Sequence, residues 1–182
     1  MVSQELESQN PVVEFVEKNP NNYEISNFKN FARTCGVSEQ TITKINKGLY
    51  NQLPPSVAKT LAEYSGRTVN EWGLAYKAWR DECIVMLKKD IEEGRIPADA
   101  LYLSAKEITE QFESFVDWRR SLNPSLMGFC SEFYLHQGTM YRYESGEGFD
   151  IPVVLKERLL FLGCDEDYIT ALKRLPRRTL TL

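Results

Sequence analysis

The segment from Phe31 to Gly66 recurs between Phe129 and Gly163, at an offset of 98 residues. The first copy reads FARTCGVSEQTITKINKGLYNQLPPSVAKTLAEYSG and the second FCSEFYLHQGTMYRYESGEGFDIPVVLKERLLFLG. Under that offset Phe31 meets Phe129, Thr41 meets Thr139, Gly48 meets Gly146, Pro54 meets Pro152 and Leu61 meets Leu159. Similar residues fall between them: Val37 with Leu135, Ile42 with Met140, Lys44 with Arg142, Val57 with Leu155. One residue is lost before Gly66 meets Gly163. A solenoid needs at least about three repeats, so two copies describe a duplicated small domain. Length alone allows one or two domains in 182 residues, and the repeat decides for two.

Hydrophobic residues make up 42% of the chain and aromatic residues 12%, enough for real cores and against disorder. The longest apolar run, Cys83 to Leu87, is five residues, far below the roughly 18 of a membrane span. The start, MVSQELESQN, has neither the basic opening nor the apolar run of a secretory signal. A cytoplasmic protein is expected, nucleoid-associated when bound to DNA. Cys35, Cys83, Cys130 and Cys164 are scattered without a C-x-x-C pair and are expected to be small buried thiols.

The net charge of −4 speaks against nucleic acid until its distribution is considered. Between residues 26 and 60 lie Lys29, Arg33, Lys44, Lys47 and Lys59 against one acid, Glu39. The acids gather elsewhere, from Glu71 to Asp117, and the stretch Lys173 to Arg178 adds basic residues near the end. Binding follows local potential rather than the sum.

Helical periodicity dominates and strand alternation is nearly absent, so the chain is expected to be all-α. Asn10-Pro11 opens a first helix, and Asn19-Pro20-Asn21-Asn22 is a turn cluster. Ser26 is a candidate N-cap for a helix carrying Phe28, Phe31 and Ala32 inward. Gly36 permits a sharp reversal. Ser38 then caps a short helix with Ile42 and Ile45 inward, which Gly48 stops. Pro54 and Pro55 restart a helix that Gly66 ends. From Thr68 to Glu93, Trp72, Tyr76, Trp79, Cys83, Met86 and Leu87 form one apolar stripe. Ser104 with Glu107 is a capping-box pattern opening a helix through Ile108, Phe112, Phe115, Val116 and Leu122. Tyr168, Ile169 and Leu172 mark a last short helix before a loose basic tail from Pro176.

The pattern F-A-x-x-x-G-V-S-x-x-T-I-x-x-I-x-x-G, followed by L-A-x-x-x-G at Leu61 to Gly66, resembles the lambda-repressor-like helix-turn-helix of the Cro/CI (XRE) family. Phe31-Ala32 stands where the family's second helix packs, Gly36 at its turn, and Ser38 to Lys47 at its recognition helix. The resemblance implies an all-α chain with two such helix-turn-helix domains, at 1–67 and 104–175, joined by a helical connector at 68–103, with 176–182 as tail. It also implies double-stranded DNA as partner. Glu39, Gln40, Thr41 and Thr43 would then face base edges, while Lys29, Arg33, Lys44 and Lys47 would meet phosphates. A connector of about 26 residues at 1.5 Å each spans roughly 39 Å, against half-sites about 34 Å apart.

The second copy departs from the pattern. Tyr134 stands at the turn glycine, Cys130 replaces Ala32, His136 replaces the capping Ser38, and Gly138 weakens the helix. Gln137, Thr139 and Tyr141 would carry its base contacts and Arg142 its phosphate contact, with Tyr141 and Tyr143 otherwise simply packing. Trp72, Tyr76 and Trp79 are expected either to form a surface for a homodimer or regulatory protein, or to pack on the chain's own domains.

There is no phosphate loop, no G-x-S-x-G, and no metal-spaced His or Cys set, so no enzyme activity, cofactor or small-molecule ligand is expected. The lone histidine, His136, reads as a helix-start residue. The expectation is a sequence-specific DNA-binding transcriptional regulator, a repressor of phage, prophage or plasmid kind acting by operator occupancy. Its rival is an antirepressor or adaptor that keeps the fold without DNA binding in one or both domains.

Overall fold

Periodicity of three and four residues, punctuated by glycine, proline and capping side chains, yields eleven α-helices and no strand among the described residues, 9–147 and 150–177, of the computed structural model. The first five are α1 (Pro11–Glu17), α2 (Phe28–Thr34), α3 (Glu39–Asn46), α4 (Pro55–Ser65) and the long α5 (Val69–Glu92). After a 3-10 turn at Asp99–Tyr102 come α6 (Ala105–Gln111), α7 (Phe115–Leu122), α8 (Leu126–Glu132), α9 (Gln137–Glu144), α10 (Val153–Phe161) and α11 (Glu166–Arg174). The chain divides into two compact units, residues 1–86 and 87–182. The boundary falls inside α5, within the stretch read as connector. No helix among the described residues is long and apolar enough to cross a membrane.

The sequence repeat is also a backbone repeat. α2 and α8 begin and end 98 residues apart, as do α3 and α9, and α4 and α10 begin 98 apart. Between α2 and α3 the Val37 N–H donates to the Ala32 carbonyl (3.0 Å); between α8 and α9 Leu135 donates to Cys130 (2.8 Å). Each second helix closes in a Schellman motif. Leu49 donates to Lys44 and Glu147 to Arg142, both at 2.9 Å, with Gly48 and Gly146 at φ +69 and +87. The correspondence runs past the sequence match. The Thr68 hydroxyl accepts the Glu71 N–H before α5, and the Asp165 carboxylate accepts the Tyr168 N–H before α11, 97 residues later.

Two local expectations are corrected. The N-cap of α2 is Asn27, not Ser26: in an extended conformation its side chain reaches the Asn30 N–H at 2.9 Å. The helix expected to run from Ser104 to Leu122 is two helices. The capping box of Ser104 and Glu107 does open α6. Phe112 is then extended, and Ser114 caps α7 by accepting the Asp117 N–H at 3.1 Å. The Ser-x-x-Asp pattern offers the chain a new start, which outweighs continuing the first helix.

In the first unit Phe31, Ile42, Ile45, Val57 and Leu61 are buried, each contributing roughly 1.5–3 kcal/mol by leaving water. Trp72, Tyr76 and Trp79 are buried there too, at 3, 0 and 6% exposure. The Trp72 indole donates to the Ser65 hydroxyl at 2.8 Å and meets Phe15 edge-on at 5.3 Å. These three side chains thus pack within the first unit, the second of the two alternatives given for them.

The second unit has its own core. Phe129 stacks on Phe133 at 4.6 Å, and Phe115 meets Tyr143 edge-on at 4.9 Å. The Trp118 indole donates to the Tyr168 hydroxyl, which donates to the Ala100 carbonyl. Pro176 and Arg177 are not a loose tail: the Pro176 carbonyl accepts the Phe115 N–H at 2.7 Å, and the Arg177 guanidinium lies 4.6 Å above the Tyr143 ring. Residues 178–182 of the expected tail, and 1–8 of the first domain, lie outside the described residues.

Candidate nucleic-acid interface

α3 is eight residues long and buries Ile42 and Ile45. That burial fixes which side faces water. Gln40, Thr43, Lys44 and Lys47 follow at steps of three, one and three, so they share one stripe of a 3.6-residue helix, away from the core. Gln40, Thr43 and Lys47 are exposed and Lys44 is half-buried. Glu39 is exposed at the start of the helix, while Thr41 is half-buried. Lys29 and Arg33, one turn apart on α2, are both exposed. Two groups of cations therefore come from a pair of helices that pack on each other. Lys29, Arg33, Lys44, Lys47 and Lys59 make no ion pair with any described residue. Their charge is available to a polyanion.

The hydroxyls of the stretch are partly committed. Ser38 accepts the Thr41 N–H at 3.1 Å, and its oxygen lies 3.0 Å from that of Thr41. Thr41 thus belongs to the cap more than to the outer stripe. Thr43 donates to the Glu39 carbonyl at 3.0 Å. What Thr43 retains for a base edge is a methyl group and acceptor lone pairs. Gln40 keeps both its donor and its acceptor functions, because no described residue bonds its carboxamide.

The exit of α3 is held by Asn10, Tyr76 and Arg80, a role the sequence pattern does not assign to them. Asn10 donates to the carbonyl of Ile45 at 3.1 Å and lies 3.4 Å from that of Asn46. The Tyr76 hydroxyl lies 3.2 Å from the carbonyls of Ile45 and Tyr50. Arg80 donates to the Gly48 carbonyl at 2.8 Å and to the Asn51 side chain. Burial pushes the Tyr76 phenol well above its ordinary range, so it stays a donor. A signal existed for Arg80: it stands four residues after Tyr76 and three before Cys83, on the side of α5 that the stripe buries.

In the second unit, α9 buries Met140 and Tyr143. Tyr143 is therefore a packing residue. Tyr141 is 60% exposed, Thr139 and Arg142 are exposed, and Gln137 is half-buried. Thus all four expected contact residues lie on one short helix. That helix has no side-chain cap at His136. A side chain at Gly138 would meet the His136 ring at 3.1 Å.

No family model matches the chain, and no significant match exists to curated proteins or to solved structures.

Proposed function

We propose that this chain is a sequence-specific DNA-binding transcriptional regulator built from two lambda-repressor-like helix-turn-helix units, a repressor of phage, prophage or plasmid kind. It acts by occupying an operator and excluding polymerase or a competing regulator. The observation that carries this reading is the outer stripe of α3, where Gln40, Thr43, Lys44 and Lys47 line one exposed side beside Lys29 and Arg33. The N-terminal part of α3 enters the major groove, Gln40 pairs with the N6 and N7 of an adenine, and Thr43 meets a thymine methyl. Lys29, Arg33, Lys44 and Lys47 hold phosphates on either side, fixing register and supplying much of the affinity.

Selection of randomised duplex DNA with the purified chain, followed by salt titration of the enriched site, tests this. A defined motif with a steep salt slope is expected, and Lys44→Glu with Gln40→Ala removes binding while the helical circular dichroism spectrum persists. No enrichment at low salt rejects the reading.

A second reading, a protein-interaction module such as an antirepressor or adaptor, is favoured for the second unit by Met127 and Tyr141, which are 66% and 60% exposed. Under it, Tyr141→Ala abolishes function without changing DNA affinity.

A further inference from the structure

Resting on the DNA reading above, we infer that DNA reading is confined to the first unit, so that each chain supplies one reader and two half-sites take two chains. The backbone repeat makes the comparison residue by residue, because α8 and α9 begin and end 98 residues after α2 and α3. Lys29 corresponds to Met127, Arg33 to Ser131, Lys47 to Ser145 and Lys59 to Glu157. Of the five cations only Lys44 has a charged equivalent of the same sign, Arg142. Five positive charges and Glu39 become one positive charge and Glu157. A face left with one cation, offset by Glu157, releases few counterions and gains little from a phosphate backbone.

The base-reading position is lost as well. Gly138 corresponds to Gln40. A Cβ there would stand 3.1 Å from Cε1 and 3.3 Å from Nδ1 of the His136 ring, closer than ordinary contact. A reader cannot be restored there without moving that ring. Elsewhere in the second unit three cations are already paired, Lys156 with Glu166 at 3.0 Å, Lys173 with Asp150 at 2.9 Å, and Arg119 with Glu144 at 2.9 Å, whereas Arg120 and Arg174, outside α8 and α9, are exposed without an ion pair to a described residue. In the first unit the five interface cations pair with no described residue.

The test uses the full chain and its own selected duplex, followed by fluorescence anisotropy across a salt series. Replacing Lys29, Arg33 and Lys47 by the residues of the second unit (K29M, R33S, K47S) is expected to reduce the salt slope by about three and the affinity by at least about tenfold. Replacing Gln137, Tyr141 and Arg142 by alanine is expected to leave affinity within about twofold and the slope unchanged within about 0.5. Thermal melts confirm that both triple variants stay folded. A tenfold loss in the second variant, or two half-sites protected at one chain per duplex, overturns the confinement while leaving the DNA reading intact. Absence of any selected duplex for the unmodified chain rejects the DNA reading, and the confinement with it.

Discussion

The Arg80 Nε donates to the Gly48 carbonyl at 2.8 Å, joining the middle of α5 to the exit of α3 across 32 residues of chain. Arg80 is 3% exposed, so its charge is held almost wholly by acceptors of the protein. The carbonyls at a helix C-terminus carry the negative end of the macrodipole, which is why a cation is tolerated there. Replacing Arg80 by methionine leaves the Gly48 carbonyl and the Asn51 side chain without their donor. The expected cost is about 3 kcal/mol of unfolding free energy. Lysine recovers less than half of it, since an ammonium lacks the planar fork that serves separated acceptors. Urea titration checks both variants, and a cost below about 1 kcal/mol for Arg80→Met would show that solvent replaces the guanidinium.

Local signals carried most of the helix boundaries. Ser38, Gly48, Pro55, Gly66 and the pair Ser104 and Glu107 all act where their chemistry placed them, because caps and stops depend on neighbours within about one turn. The repeat was legible for the same reason: glycine and proline at fixed offsets survive when other residues drift. Ser114-x-x-Asp117 is an equally local start signal, but the apolar spacing from Ile108 to Leu122 runs across it and suggests one continuous helix. Arg80, Asn10 and the buried Trp72 stripe were legible only as apolar or polar residues on a face. Which element covers that face depends on tertiary packing, which one helix period does not encode. The exposed stripe of α3 followed from Ile42 and Ile45, whereas the steric hold of His136 over Gly138 required coordinates.

Gly36 and Tyr134 occupy the same place in the two copies, at φ +67 and +52. The reversal demands a left-handed residue whatever its identity, and the second copy tolerates tyrosine there. A Cβ on Gly36 meets nothing within 4 Å, so substitution costs backbone energy alone. Gly36→Ala is expected to destabilise the first unit by about 1 kcal/mol, and Gly36→Asn by less, because asparagine visits this region more readily. Thermal unfolding distinguishes them. Equal costs would mean that the conformation itself relaxes.

His136 and Gly138 couple in a way that a double-mutant cycle exposes. His136→Ser supplies the missing cap of α9, worth about 1 kcal/mol. Gly138→Ala gains helix propensity of similar size, but its Cβ runs into the His136 ring, 3.1 Å away. The double variant is therefore expected to gain more than the two single variants added together, by about 0.5–1 kcal/mol. Simple additivity in denaturant unfolding would mean that the ring swings aside at no cost.

Cys35, Cys83, Cys130 and Cys164 are all buried thiols outside any disulfide. Burial pushes the thiols of Cys130 and Cys164 up to about 12 and raises that of Cys35. At pH 8 these stay protonated in the folded chain, while an unfolded cysteine begins to ionise near about 8.5. Their contribution to stability is therefore complete below the unfolded value and declines as pH rises from there towards the folded one. Ellman's reagent at pH 8 is expected to label no thiol on the native timescale and four after denaturation. Rapid labelling of any one thiol before unfolding would contradict the packing around it.

Arg119 and Glu144 form the second unit's own buried tie, with side chains 4% and 13% exposed and the Nε 2.9 Å from Oε1. Arg119 also donates to the carbonyls of Asn123 and Pro124, at 3.0 and 3.1 Å, so α7, the turn after it and the end of α9 share one guanidinium. Removing either partner alone leaves the other charge buried without its counter-ion, at an expected cost of about 3–5 kcal/mol. Replacing both by leucine removes the desolvation burden of the pair along with its attraction. The double variant Arg119→Leu with Glu144→Leu is therefore expected to be less destabilised than the sum of its parts by at least about 2 kcal/mol. Intrinsic fluorescence reports the transition, because Trp118 beside the pair is fully buried. If the single substitutions cost under about 1 kcal/mol each, water reaches the pair and it fixes nothing. If the cycle closes without coupling, the energy resides in the backbone carbonyls that Arg119 serves, and the α9 helix end is held from one side only.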